Sequence, residues 1–315
     1  MHPAISVIFF TTFSGAGYGL LAWLGVLAAA AMLPADRGFG AASLALALVS
    51  VTVGLLSSTF HLGHPERAWR AFSQWRSSWL SREGVASVAT YVPALLFAVG
   101  WVILGSTEGI WAIFGLVAAL AAAVTVGCTA FIYQSLKPIQ RWSNFWVLPN
   151  YLALAAMTGA LWLAALTQVF SLDPLISMVA ALGSIPVALA LKVAYWRFID
   201  GTGSLSTAES ATGLGSLGKV RLFEAPHTSE NYLMKEMGYR VARKHAAKLR
   251  RIAIGIGFVA PFALTLANLA FTGIVAIGVA TTAAVLCTLG VLVERWLFFA
   301  EAKHTVTLYY GASSA

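Results

Sequence analysis

Long unbroken apolar stretches, with no sustained alternation of polar and apolar positions, set the pattern of this chain. Eight of them approach the roughly 20 residues that an α-helix needs to cross the ~30 Å hydrocarbon layer of a bilayer. They run over residues 4–33, 40–60, 84–105, 110–134, 148–170, 174–196, 251–272 and 274–300. The pattern predicts an all-α integral membrane protein, a single domain over 1–315 built as a bundle of eight transmembrane helices. The first stretch is too long for a signal-peptide core and no basic residue precedes it, so it reads as a retained helix. Composition agrees: 59% of the 315 residues are hydrophobic and 10% are charged, against roughly 25% charged in soluble domains.

Charge adds an orientation. With eight spans both termini share a side, together with loops 61–83, 135–147 and 197–250. That side receives every Lys and Arg except Arg37. The positive-inside bias then predicts a multi-pass protein of the bacterial inner membrane with both termini in the cytoplasm. The net charge of +8 is explained by this topology and by anionic lipid headgroups, and gives no reason to invoke nucleic acid. Cys128 and Cys287 fall inside predicted helices and are too few for an iron–sulfur cluster, which typically takes four thiolates.

The long loop 197–250 reads as flexible in its Gly/Ser/Thr-rich first half. Its second half, SENYLMKEMGYRVARKHAAKLRR, reads as a basic helix capped by Ser229, with Tyr232, Leu233, Met237 and Val241 as an apolar stripe. That helix suits either a protein partner or an anionic lipid surface. Gly213, Gly215 and Gly218 match GxGxxG, but no strand precedes them, which removes the dinucleotide reading. Gly15 and Gly19 form a small-xxx-small pair suited to close helix packing.

The segment His61–Gly84, HLGHPERAWRAFSQWRSSWLSREG, concentrates charge between two apolar stretches. Pro65 and Glu66 suit a helix start. Ala68, Phe72, Trp75 and Trp79 would then form one apolar stripe of an interfacial helix, with Arg67, Arg70 and Arg76 off it. His61 and Glu83 flank this helix at the ends of spans two and three, on one side of the membrane. Ionisable groups at such depth tend to mark ligand or proton pathways. A histidine and a carboxylate there suit a two-electron, two-proton carrier such as quinone, His61 bonding a ring carbonyl and Glu83 relaying a proton. Arg67 and Arg82 are candidates to stabilise negative charge on the ring oxygen. A purely structural His–Glu pair is the competing reading. The last span and its tail, VERWLFFAEAKHTVTLYYG, add Glu294, Arg295 and His304 as further candidates. Arg295, if buried, needs an acid, either Glu294 or Glu83.

HLGHPERA followed by SWLSREG is similar to the HLGxPxRA and SxLSxE pattern of dimethyl sulfoxide reductase anchor subunits. The resemblance extends to QSLKPIQRWSNFW and to the C-terminal VERWLFFAEAKHTVTLYYG. It implies eight membrane helices that anchor an iron–sulfur subunit and a molybdopterin catalytic subunit and exchange electrons with ubiquinone or menaquinone. It also implies that His61 and Glu83 match the family's quinol-binding histidine and glutamate. The basic 50-residue loop departs from the reductase pattern. With the opening MHPAISVIFFTTFSGAGYGL, it resembles the branch that serves cytoplasmic sulfite-oxidising complexes. Arg67, Arg70, Arg76, Arg240 and Arg243 are the residues expected to dock the partner subunits. Other readings are a reductase anchor that oxidises menaquinol, and a transporter, which would need polar groups or broken helices near the midplane. A haem b would need axial histidines, and only His61, His64 and His304 lie near spans, all at one edge. No metal site is expected in this chain itself.

Overall fold

Helices long and apolar enough to cross a membrane dominate the computed structural model, which describes residues 5–203, 206–224, 226, 243–312 and 314; the side chain of His61 lies outside that set. Among the described residues there are eight such helices: α1 (Ile5–Ala29), α2 (Arg37–Phe60), α3 (Trp79–Leu104), α4 (Ile110–Gln134), α5 (Val147–Val169), α6 (Leu175–Gly201), α7 (Ala246–Ala270) and α8 (Gly273–Ala300). Each agrees with an apolar stretch of the sequence. The third starts five residues earlier than its hydropathy suggests, because the extended residue Ser78 precedes a helix that begins at Trp79. Glu83 therefore lies more than one turn inside α3. No strand occurs among the described residues beyond the isolated bridge Thr207–Ser314.

The helices form two groups joined along α1 and α5. α1 packs on α2, α4 and α5, and α3 packs on α4. α5 also meets α6 and α8, and α7 lies along α8. The joint is made close by glycine. A side chain on Gly19 would collide with the Ala155 carbonyl, and one on Gly159 with the backbone at Gly19. The indole N–H of Trp23 donates across the same joint to the Ala156 carbonyl, at 2.8 Å. Gly15, paired with Gly19 in the sequence reading, faces open space instead. The helices have already diverged one turn away. α7 contains a wide π-turn over Gly255–Val259 just before Pro261, where proline removes a helical donor.

The predicted interfacial helix is not a single helix. Residues Pro65–Phe72 form a 3₁₀ helix, and turns follow to Ser77. Ser73 and Ser77 donate their hydroxyls to the carbonyls three residues back, a local alternative that competes with helix propagation. Trp79 belongs to α3, where it stacks on Phe131 of α4 at 4.5 Å. The expected stripe of Ala68, Phe72, Trp75 and Trp79 is thereby split between two elements.

In the loop between α6 and α7, a short helix spans Ala208–Thr212, closed by a capping box between Thr207 and Ser210. Gly213 follows as its left-handed cap, at φ +71°. Residues 227–242, including Arg240 and the stripe from Tyr232 to Val241, lie outside the described residues.

Candidate functional site

At the end of the bundle that carries most of the charge, α1, α2, α3, α4 and the 3₁₀ segment enclose a cavity of about 850 Å³. Its walls are mainly apolar: Val7 and Phe10 from α1, Leu55 from α2, Leu80 and Val88 from α3, and Ile132 from α4. Phe72 closes one side, resting on Gly84, where an added Cβ would stand 3.2 Å from the ring. Four titratable groups reach this cavity, Glu83, Tyr133, His64 and Arg67, beside the hydroxyls of Ser58, Thr59 and Ser87 and the Trp69 indole. An apolar cavity of a few hundred Å³ with a few convergent polar groups is the usual form of a small-molecule site.

Glu83 is 4% exposed. The hydroxyl of Thr129 on α4 donates to its carboxylate. Among the described residues no cation lies within ion-pairing distance of it. A buried carboxylate without a cation is costly unless it exchanges protons or meets a ligand. At the mouth, Glu66 accepts from His64 Nδ1 at 2.9 Å and faces Arg67 at 3.8 Å, all of them exposed.

The candidate residues separate into groups. Glu83 and Arg67 both line the cavity; the His61 side chain lies outside the described residues. Arg82 does not line the cavity. Its guanidinium donates to the carbonyls of Trp75 and Arg76, at 3.0 and 2.7 Å, and lies 4.3 Å above the Trp79 ring. Arg82 thus closes the turn that the serines open. Arg70 and Arg76 lie against Trp69 and Trp75 on the exposed segment. Arg243 donates to the Ala300 and Ala302 carbonyls at the end of α8, where a cation satisfies groups that the helix leaves open.

Glu294, Arg295 and His304 sit behind the cavity rather than in it. Tyr133 stacks on Tyr151 of α5 at 6.1 Å, and the Arg295 guanidinium lies 4.1 Å from the far ring. Arg295 donates to Glu294, which also pairs with Lys192 of α6. Arg295 thus takes Glu294, not Glu83, as its acid. The His304 ring meets Trp142 edge-on at 5.3 Å, and burial together with Arg243 holds its imidazole below the ordinary histidine value. Farther out, Arg250 joins Asp200 and Glu301; burial raises the Glu301 carboxyl despite Arg250 beside it.

Sequence reasoning passed over Lys192, Tyr133 and Thr129, and weighed His64 only as a haem ligand. Lys192 carried a legible signal: a lone lysine in the apolar run IPVALALKVAYW, where membrane depth makes any charge informative. Tyr133 and Thr129 carried none, because one more tyrosine or threonine in a helix is unremarkable until its neighbours are known.

A family model, the DMSO reductase anchor subunit (DmsC), matches residues 1–311. The chain belongs to the DMSO reductase anchor subunit family. A sulfite dehydrogenase subunit from Allochromatium vinosum is 34% identical to it over 329 residues, covering 98% of this chain and 99% of that protein. This is accordingly a multi-pass membrane anchor subunit of an oxidoreductase. In an anchor subunit the motif from His61 to Glu83 gains a geometric meaning: its two ends bracket the loop that covers the cavity, and its second end supplies the cavity's buried carboxylate.

Proposed function

We propose that this anchor subunit passes electrons between an iron–sulfur partner and the quinone pool, with quinone bound in the cavity at Glu83. The complex is read as a heterotrimer with a molybdopterin catalytic subunit, oxidising sulfite and reducing ubiquinone or menaquinone. The observation that carries the reading is the buried carboxylate, without a cation beside it among the described residues, on the wall of an apolar cavity of about 850 Å³. Quinone reduction consumes two electrons and two protons. In this reading Glu83 would hand a proton to one ring oxygen, and Arg67 would stabilise negative charge there. Thr129 fixes the carboxylate, and the apolar walls accept the ring. The sulfite assignment rests on the relative from Allochromatium vinosum; a reductase anchor running the reaction from quinol is the alternative, and the same cavity would serve it.

Arg67, Arg70 and Arg76, exposed among tryptophans beside the cavity mouth, fit a docking surface for the iron–sulfur partner. The excess of Lys and Arg at this end favours its placement in the cytoplasm. The test is Glu83→Gln in the assembled complex. Quinone-linked activity should fall by roughly 10²-fold, the lower scale for losing a positioned acid–base group. Activity with a soluble dye should persist, because dye bypasses the membrane site. An unchanged ratio of the two activities rejects the site.

A further inference from the structure

Three charges inside the bundle have no part in the quinone site as described: Lys192, Glu294 and Arg295, at most 2% exposed. Burying ions costs several kcal/mol each before their attraction is counted, so such a cluster is weak evidence for a stabilising role. Its surroundings are equally unusual. Among the described residues, Asn150 Oδ1 and Glu301 Oε2 are buried without a hydrogen-bond partner, and the Tyr151 hydroxyl and the Arg295 guanidinium are hydrogen-bonded to each other. Buried polar atoms of this kind are normally satisfied by ordered water.

These atoms follow one line. Tyr133 lines the cavity and stacks on Tyr151. Tyr151 carries the Arg295 guanidinium on its ring. Arg295 and Lys192 share Glu294. The amide of Asn150 reaches the carbonyl of Leu191, next to Lys192, at 3.2 Å. Lys192 and Arg250 lie on the same Trp196 ring, at 5.1 and 5.3 Å. Arg250 then joins Asp200, half exposed, and Glu301.

We propose that this line of polar groups is a hydrated proton route, leading from Asp200, Arg250 and Glu301 past Lys192 and Tyr151 to the quinone cavity at Tyr133. The proposal rests on the quinone reading. The need for such a route follows from the position of the mouth. The mouth lies beside Arg67, Trp69 and Phe72, the segment assigned to docking, and a docked partner excludes water there. The route emerges across the bundle, at α6, α7 and α8. Per turnover, the iron–sulfur partner supplies two electrons and the route two protons, converting quinone to quinol. Each transfer breaks one N–H or O–H bond and forms another. Lys192 gives a proton towards Tyr151 and takes one from the Glu301 side, so no charge accumulates. Glu294 is a positioning residue that holds Lys192.

The test uses the assembled complex, a short-chain ubiquinone analogue, and two variants chosen to preserve the fold. Lys192→Met leaves Glu294 paired with Arg295; Tyr151→Phe keeps the ring. In both, quinone-linked kcat should fall by about 10²-fold with the quinone KM and dye-linked activity unchanged. The slowing in D₂O should exceed that of the unaltered complex, and added imidazole should restore part of the rate. Unaltered kcat and solvent isotope effect would overturn the route, as would a loss shared in proportion by dye-linked activity. If Lys192→Met does not assemble, Tyr151→Phe decides alone. Glu83→Gln separates the two ideas. Full quinone turnover in that variant removes the quinone site itself. An inactive Glu83→Gln beside two normal route variants removes the route only.

Discussion

Glu83 and Glu294 are two carboxylates buried near the same end of one bundle, and their neighbourhoods are opposites. Glu83 receives one hydroxyl from Thr129 and borders open space. Glu294 is held between Lys192 and Arg295, with aromatic rings of Tyr151, Tyr195 and Phe298 packed on the two cations. Burial alone therefore does not mark a reactive carboxylate. The carboxylate proposed to react has room beside it and, among the described residues, no fixed counter-ion. The other has its charge matched by Lys192 and Arg295 and its geometry locked.

The largest expected effect breaks the comparison on the stability side. Glu294→Gln leaves Lys192 and Arg295 buried without an acid, a change that typically costs about 3–5 kcal/mol. Membranes should hold much less assembled complex, and its Tm should drop. Glu83→Gln strands no cation among the described residues, so its Tm should stay near that of the unaltered complex. Equal melting of the two variants would erase the distinction.

A smaller effect sharpens the Glu83 side. Thr129→Val keeps shape and removes the hydroxyl, worth about 1–3 kcal/mol when the acceptor is charged. Quinone-linked kcat should fall by about tenfold with assembly intact, since about 1.4 kcal/mol is a factor of ten. A Thr129→Val complex with normal turnover would mean that the carboxylate is oriented by something else.

The smallest effect belongs to the region behind both carboxylates. Because the native His304 imidazole titrates below its ordinary value of 6.5, the unfolded chain binds this proton first as pH falls. The neutral ring's contribution is complete above pH 6.5 and declines as pH falls below it. Melting curves of the unaltered chain should lose slightly more stability across this interval than those of His304→Phe. Parallel curves would assign the acid sensitivity to other groups.

The eight spans were legible because hydrocarbon imposes one length and one composition on all of them. Glu83 was singled out because it stands where the charged segment meets the third apolar stretch, at membrane depth on the same side as His61. The role of Arg82 was not legible, since sequence spacing says nothing of which way a long side chain folds, and here two free carbonyls in the preceding turn capture it. Gly15 misled for a related reason: periodicity identifies a helix face but not the point where a neighbouring helix leaves it. The cavity draws residues from four helices and a 3₁₀ turn, so it exists only once those elements meet. Tyr133 could not have been singled out before then.

The glycine joint between α1 and α5 also has a consequence for the order of synthesis. Trp23 and its acceptor at Ala156 are 133 residues apart in the chain. At about 5–20 residues per second, α1 emerges on the order of ten seconds before α5 exists. Throughout that interval its glycine face must rest against lipid or the insertion machinery. α1 has no charged residue to make that wait costly, and the small-residue groove that later admits α5 remains open until its partner arrives.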